Sequence, residues 1–596
     1  MINLIYRILI LYSVLHVNNL HAQLPYAESI LSKDFKTFTS YGPDINKGLT
    51  TEIKNNGTDF SYLEVNTFNK LSGNRINGIE APITSNLKKG DILWVSFKSR
   101  CLVSKRETGE GFIELRLDNL VNGKAAWPAH VVRGVSIGKD WMETSFSFII
   151  GKDVNAADAK FVIKFDSYEQ QLQISSITLN NYKQTVNLKD LPRSKVRYEG
   201  DHPDALWRKD ALQRIEKIRK GDLKIKVLQP NGRPLTNAKI SISLKRNSFD
   251  WGTAINSAFI LEQNNGDAKH YRDTLKKYFN QVVFENEMKW KSWTSQPASI
   301  RGENTKKANK WLRENGMGAR GHVMVWPSWR LSPGLESLKN DTAALRRRIK
   351  EVIQDQTTKM KGEFSEWDVV NEPISNHDIL DVLGKNEMVT WFKTAHRHAP
   401  DLKLFLNDFT LFHGKGVGSG SQKFYDNIAM LLKEGAPIDA IGEQGHIGGA
   451  PPAIPFVLER LDYFSKFNLP IKITEFDIRS IDDDFKANYI KDFMIAIYSH
   501  PSVTGFVQWG FWAGAHWFPE AALWDKDWTL RPHGKVYTEL VNKTWTTNIS
   551  TTTNALGEAN TRGYCGEYEI SVSHNGKDYK RYLKLDNSGN EILIKL

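Results

Sequence analysis

The sequence predicts an α/β protein whose largest part is a (β/α)8 barrel, joined to an N-terminal β-sandwich (jelly roll) and a small accessory β-module. From Phe249 onward, eight apolar runs end near Trp251, Phe284, His322, Val370, Leu406, Gly442, Thr474 and Val507. Their mean spacing of about 37 residues suits βα repeats closing into a barrel. Helical patterns fill the intervals, among them 342–361, 387–398, 421–434, 454–467 and 484–500. Between residues 26 and 185, by contrast, short alternating runs recur with no long helical pattern between them. A doubly wound sheet is the competing architecture, but no Gly-rich phosphate loop follows the first run of the barrel.

The elements follow in order. Residues 1–22 read as a signal peptide: Arg7 supplies a positive start, an apolar run reaches Val17, and Ala22 precedes the polar Gln23. The run is short for a spanning helix. The protein is therefore expected to be secreted, periplasmic or at the cell surface, with no membrane attachment after signal removal. Residues 23–185 form the sandwich, with runs such as 92–97, 112–117, 145–150 and 161–165. Residues 186–221 read as a linker with an amphipathic helix from Trp207 to Lys220. Ala211, Ile215 and Ile218 line one side of it, and its basic residues face solvent. Residues 222–247 read as a β-hairpin about the turn Pro230-Asn231-Gly232-Arg233-Pro234. The barrel spans 248–546. Residues 551–596 carry three more short strands and bury too little surface to stand alone, so they are expected to pack with 222–247.

Composition bounds the function. The chain has 596 residues, 80 Lys plus Arg against 68 Asp plus Glu, and a net charge of +12. Between Val186 and Arg246 there are 16 basic and 7 acidic residues, so the excess belongs mostly to the connector. No nucleic-acid motif accompanies it, and a nucleic-acid partner is not expected. Two Cys exclude a disulfide scaffold and a Cys-based zinc site. Cys101 and Cys565 are read as small core residues, with a long-range disulfide left open. The 18 Trp exceed what a core requires, and those near strand ends point to a barrel mouth lined with indoles.

The C-terminal ends of barrel strands carry the active site. Here they offer Glu285-Asn286-Glu287 with Lys289 and Trp290, His322 with Trp326, Asn371-Glu372, Asn407-Asp408, Glu443-Gln444 with His446, Glu475 with Asp477, and Gln508-Trp509 with Trp512 and Trp517. No Ser/His/Asp nucleophile arrangement or tight His cluster is among them. Glu372 and Glu475 end the fourth and seventh runs, on facing sides of a barrel mouth. Two carboxyls flanking a glycosidic bond are what glycoside hydrolysis requires, one protonated and one ionised. Indoles suit the C–H faces of sugars, and amides suit their hydroxyls.

Residues 249–545 resemble glycoside hydrolase family 10, the retaining endo-β-1,4-xylanases. The motifs are WGTAIN at 251–256, FENEMKW at 284–290, GHVMVW at 321–326, WDVVNEP at 367–373, NDF at 407–409, ITEFDI at 473–478 and QWGFW at 508–512. The resemblance implies that Glu372 is the acid/base and Glu475 the nucleophile. Asn371 would bond the sugar 2-hydroxyl. Glu285, Asn286 and Lys289 would bind glycone hydroxyls, with His322, Trp326, Gln444 and His446 around the cleaved bond and Trp509 and Trp517 as aromatic floor and cover. His446 would also orient Glu475, as a neutral or charged partner. Three departures stand out: Pro327 where His is usual, Phe284 where Pro is usual, and Glu443 where a neutral residue is common. Glu443 is either an extra sugar ligand or a charge for a neighbouring Arg or Lys.

The sandwich resembles, more distantly, the carbohydrate-binding jelly rolls attached to such enzymes, with Trp94, Trp127 and Trp141 as candidate platforms, Trp94 the one best explained as core and Trp127 the better platform. The implied function is a secreted, monomeric retaining endo-β-1,4-xylanase acting on xylan or a related β-1,4-linked polysaccharide, with no cofactor. The alternatives are a relative acting on another β-1,4 glycan, motivated by Pro327, and a non-catalytic glycan-binding protein.

Overall fold

The computed structural model describes residues 25–42, 49–55, 61–67, 77–104, 111–138, 140–165, 169–194, 196–448, 451–480 and 482–596. The expected signal peptide lies outside them, as does the side chain of Trp127. The chain divides into two compact units, up to Ser194 and from Lys195 onward.

The first unit is a two-sheet sandwich. One sheet orders Leu49–Asn55, Ser61–Thr67, Gln170–Asn181, Ile92–Ser104 and Met142–Ile149, with Glu28–Ser29 beside the third of these. The other orders Thr39–Tyr41, Gly78–Pro82, Ala159–Lys164, Gly111–Val121 and Lys124–Ile137. Alternate residues from both sheets, such as Val65, Leu93, Ile113, Phe161, Leu172 and Ile174, share one core, as period-2 patterning requires. The sandwich runs past residue 185. Ser194 pairs with the backbone of Ser145, and the Trp94 indole donates to the carbonyl of Pro192 at 2.6 Å while packing near Tyr182 and Leu191. Trp94 is thus occupied in holding the connector.

The second unit holds the barrel. Its strands are β1 (Asp250–Ile255), β2 (Gln281–Phe284), β3 (Gly318–Gly321), β4 (Glu366–Asn371), β5 (Lys403–Asp408), β6 (Ala440–Glu443), β7 (Ile471–Ile478) and β8 (Val503–Gln508). Each pairs in parallel with its neighbours, and β8 pairs with β1, so the sheet closes. Every residue of β4 and β7 is buried, as expected of parallel strands covered on both faces. Helices such as Thr342–Lys359, Gly420–Lys433 and Asp483–Tyr498 start at Asp341, Ser419 and Asp482, whose side chains cap backbone N–H groups. Inside the barrel, Lys472 Nζ meets Asp250, Gln281 and Glu366, and Arg320 meets Glu366 and Asp368. This interior charge network follows from closure and is invisible in a strand-by-strand pattern.

Two expectations about the flanks change. The basic helix, observed at Leu206–Ile218, is part of the barrel unit. Trp207, Ala211 and Ile215 enter the barrel core cluster, Arg208 pairs with Asp492 at 2.7 Å, and Arg219 donates to the carbonyls of Tyr498, His500 and Val503. Its basic residues are therefore partly consumed in docking. Residues 222–247 are also not a hairpin. Lys220–Leu228 pairs with Glu558–Tyr564 and Asn590–Lys595, whereas Lys239–Asn247 pairs with Asn548–Thr552 and Gly566–His574. The two strands lie in different sheets, and their apolar faces, Leu223, Ile225 and Val227 against Ile240 and Ile242, share one small core with Tyr568, Ile570 and Ile594. Facing sheets bury both apolar stripes, which side-by-side pairing would leave half open.

Candidate active site

Strands β4 and β7 bring Glu372 and Glu475 into one polar network, with Glu475 inside its strand and not at the end where the sequence placed it. Glu372 follows β4 directly and has φ 52°, a left-handed conformation that turns the chain away from the strand. Glu475 lies within β7. Asn407, at the end of β5, donates to Glu475 Oε1 at 2.7 Å and to Asn371 Oδ1 at 2.8 Å. Its own carbonyl accepts from Thr474 Oγ1 at 2.7 Å, which fixes the amide's orientation. Gln444 Nε2 donates to Glu372 Oε1 at 2.8 Å and Asn376 Nδ2 to Oε2 at 2.8 Å.

The two carboxyls are pushed in opposite directions. Burial raises the pKa of Glu372, the charge of Glu475 adds to this, and the Gln444 hydrogen bond opposes it. Burial would also raise Glu475, but the field of His322, the hydrogen bond and charge of His446, and Lys289 together outweigh it and hold the pKa at about 2. His446 Nε2 lies 3.5 Å from Glu475 Oε2, and its Nδ1 lies 2.9 Å from Asp477 Oδ1. Burial disfavours a charged His446, yet Asp477 and Glu475 raise its pKa to about 9. Of the two roles open to His446, the charged partner fits. His322 Nδ1 lies 2.9 Å from Asp368 and 3.8 Å from Glu475.

The other predicted residues surround this pair. Trp509 and Trp326 flank His322, with ring centroids 5.2 and 6.0 Å away. Lys289 Nζ bonds Asn286 Oδ1 at 3.0 Å and stands 5.8 Å from the Trp326 ring centre. Burial raises the pKa of Glu285, against the opposing pull of Lys289. Trp517 is 49% exposed, donates its indole N–H to Asp477 Oδ2 at 2.9 Å and lies under the Arg479 guanidinium at 4.2 Å.

Sequence reasoning placed Asn407, Asp368 and Asp477 in the strand-end motifs but gave them no role; in the structure each orients a predicted site residue. It also misjudged Glu443. That residue is 1% exposed, and its oxygens accept the backbone N–H groups of Leu411 at 2.9 Å and Gly445 at 3.1 Å, so it serves neither a sugar nor a basic side chain. The Trp excess is largely core: Trp251, Trp293, Trp367, Trp391 and Trp545 are among the largest fully buried side chains, and Trp290 is buried with its N–H on the carbonyl of Pro333. Pro327 is buried, and its carbonyl accepts the N–H of Ile379. Among the described residues, no three His, Cys, Asp or Glu side chains gather as a metal-holding group.

A closed eight-stranded barrel with an acid-poised and an ionised carboxyl at strands four and seven has the architecture of a glycoside hydrolase. The family model described as Glycosyl hydrolase family 10 matches residues 242–541, and the chain belongs to that family. Among curated relatives, an anti-sigma-I factor, RsgI6, from Acetivibrio thermocellus is 31% identical over 394 residues, covering 65% of this chain and 49% of that protein. Endo-1,4-beta-xylanase 1 from Arabidopsis thaliana is 30% identical over 371 residues, covering 62% and 38%. The chain thus spans less than half the length of either relative. The solved structure of xylanase 10B from Thermotoga petrophila in complex with xylobiose matches at 24% identity and TM-score 0.44, over 50% of this chain and 95% of that one.

Proposed function

We propose that the protein is a secreted, retaining endo-β-1,4-xylanase, with Glu372 as acid/base and Glu475 as nucleophile. The observation that carries this reading is the opposite poise of the two carboxyls: Glu372 is held towards its protonated form and Glu475 towards its anion. In the first step a Glu475 oxygen attacks the anomeric carbon, the bond to the glycosidic oxygen breaks, and the Glu372 proton passes to that oxygen. In the second, Glu372 takes a proton from water, the water oxygen attacks the anomeric carbon, and the bond to Glu475 breaks. Asn371 holds the sugar 2-hydroxyl, Glu285, Asn286 and Lys289 hold glycone hydroxyls, His322, Gln444 and His446 stand around the cleaved bond, and Trp509, Trp326 and Trp517 offer apolar faces. The sandwich serves as a glycan-binding module, and the leader at 1–22 directs export.

The test is hydrolysis of xylan by Glu372→Ala and Glu475→Ala. Each is expected to abolish reducing-sugar release, and azide is expected to restore turnover of an activated aryl xyloside by Glu475→Ala as the inverted glycosyl azide. Wild-type activity in either variant would refute the assignment. Pro327 favours one second reading, a preference for another β-1,4 glycan; rates on xylan against mixed-linkage glucan separate the two. Xylan binding without sugar release would instead support a non-catalytic glycan-binding protein.

A further inference from the structure

The turn that carries Gln444 and His446 touches both carboxyls, Gln444 on Glu372 and His446 on Glu475. Something must fix this turn, because its residues sit between the short strands β6 and His446–Ile447. Three contacts do so. The Gln444 N–H reaches the carbonyl of Asp408, the N–H of Glu475 reaches the carbonyl of Gln444, and the Gly445 N–H reaches Glu443 Oε1. The other oxygen of Glu443 takes the N–H of Leu411, in the loop leaving β5. Gly445 has φ 78°, and a Cβ there would lie 2.8 Å from Ile473, so the turn has one tightly packed conformation.

We propose that Glu443 is a positioning residue: its two oxygens clamp the β5 loop to the Gln444–His446 turn and thereby aim Gln444 at Glu372 and His446 at Glu475. A neutral apolar residue at this point would leave two buried N–H groups without an acceptor. The charged or titratable groups facing Glu443 are Asp408 from β5 and His446 from the turn itself. Burial, with the charge of Asp408, pushes its pKa up to about 8 against the two amide bonds and His446, and a carboxyl keeps acceptor capacity for both amides in either protonation state. The inference rests on the proposed roles of Glu372 and Glu475 for its kinetic consequence, though not for the clamp.

The consequence has a direction. Gln444 lowers the pKa of Glu372 and His446 lowers that of Glu475. If the turn slips, both carboxyls lose an anion-stabilising partner, so both limbs of the kcat/KM profile against pH move to higher pH. Glu443→Ala and Glu443→Gln are compared with wild type on xylo-oligosaccharides, together with hydrogen exchange over peptides covering 409–411 and 443–447. Glu443→Ala is expected to lose roughly tenfold or more in kcat with both limbs raised, less than the roughly hundredfold or more of losing one oriented donor outright because Gln444 and His446 remain present, and to exchange faster in both peptides. Glu443→Gln, which keeps one acceptor, is expected to recover part of each effect. Unmoved limbs with unchanged exchange would overturn the proposal. Faster exchange with unmoved limbs would reduce Glu443 to a structural residue and also overturn it. A wild-type protein without xylan hydrolysis would sink the functional reading, while unchanged exchange in Glu443→Ala would separately sink the clamp.

Discussion

Asn407 donates to Glu475 at 2.7 Å while its carbonyl is held by Thr474 at 2.7 Å, so the amide cannot flip without losing both bonds. It links β5 directly to the proposed nucleophile, and it also ties Asn371 into the network. In Asn407→Ala, Glu475 and Asn371 each lose a buried donor. The expected result is a fall in kcat of about a hundredfold, the scale of removing one preorganised donor, with KM changed little. Steady-state kinetics on xylo-oligosaccharides check this, and an unchanged kcat would show that Asn407 only packs.

Asp477→Asn tests the charge on His446. Asp477 helps to raise the His446 pKa to about 9, and charged His446 helps to hold Glu475 at about 2. Without the Asp477 charge, burial drives His446 towards neutrality and the Glu475 pKa rises. The acid limb of kcat/KM then moves to higher pH, while the alkaline limb, set by Glu372, moves less. The same pair has a stability signature. The His446 contribution is complete below the ordinary value of 6.5 and fades as pH rises through about 9. The Glu475 contribution is complete above 4.5 and fades as pH falls through about 2. Wild type should therefore gain most over Asp477→Asn between pH 4.5 and 6.5. Tm measured across pH checks this, and a constant difference would refute it.

Much of this was legible before any coordinates. Periodicity carries the eight strands because parallel barrel strands are short and mostly apolar runs buried on both faces, with Glu372 just after β4 and Glu475 in the second half of β7. What eluded the sequence depends on partners distant in the chain. The strands 220–228 and 239–247 look like a hairpin because the turn between them is well formed, yet each finds better partners after residue 547. Glu443 looks like a site carboxylate, and only the fold shows that it faces backbone amides. The Trp count misled because a large barrel buries indoles between sheet and helices as readily as it displays them.

Arg208→Ala tests the docking of the N-terminal helix on the barrel. Arg208 and Tyr198 both bond Asp492, whose side chain is buried. Removing the guanidinium leaves that carboxylate with one neutral donor. Breaking such a pair costs about 3 kcal/mol, so the Tm should fall by several degrees while kcat at 25 °C stays near wild type. A normal Tm would mean that Trp207, Ala211 and Ile215 with the Arg219 bonds hold the helix without help from Arg208.

Trp517 separates sugar contact from charge positioning. Its exposed ring is held by two grips, the N–H bond to Asp477 and the Arg479 guanidinium stacked over it. Asp477 is also the partner that keeps His446 charged. Two substitutions therefore give different results. Trp517→Phe keeps an apolar face but drops the N–H, so Asp477 loses a donor and can serve His446 more strongly; KM should change by less than about threefold and the acid limb should hold or move to lower pH. Trp517→Ala removes the face as well. A sugar that stacks on an indole loses about 1–3 kcal/mol of contact by analogy with base–aromatic stacking, so KM should rise by roughly five- to a hundredfold while kcat falls less. Kinetics on xylotriose, xylotetraose and xylopentaose would place the lost contact, because the KM penalty should appear only when the chain is long enough to reach the ring. An equal loss for Trp517→Ala on all three oligosaccharides, or a matching loss in Trp517→Phe, would assign Trp517 to holding Asp477 and remove it from the sugar-binding surface.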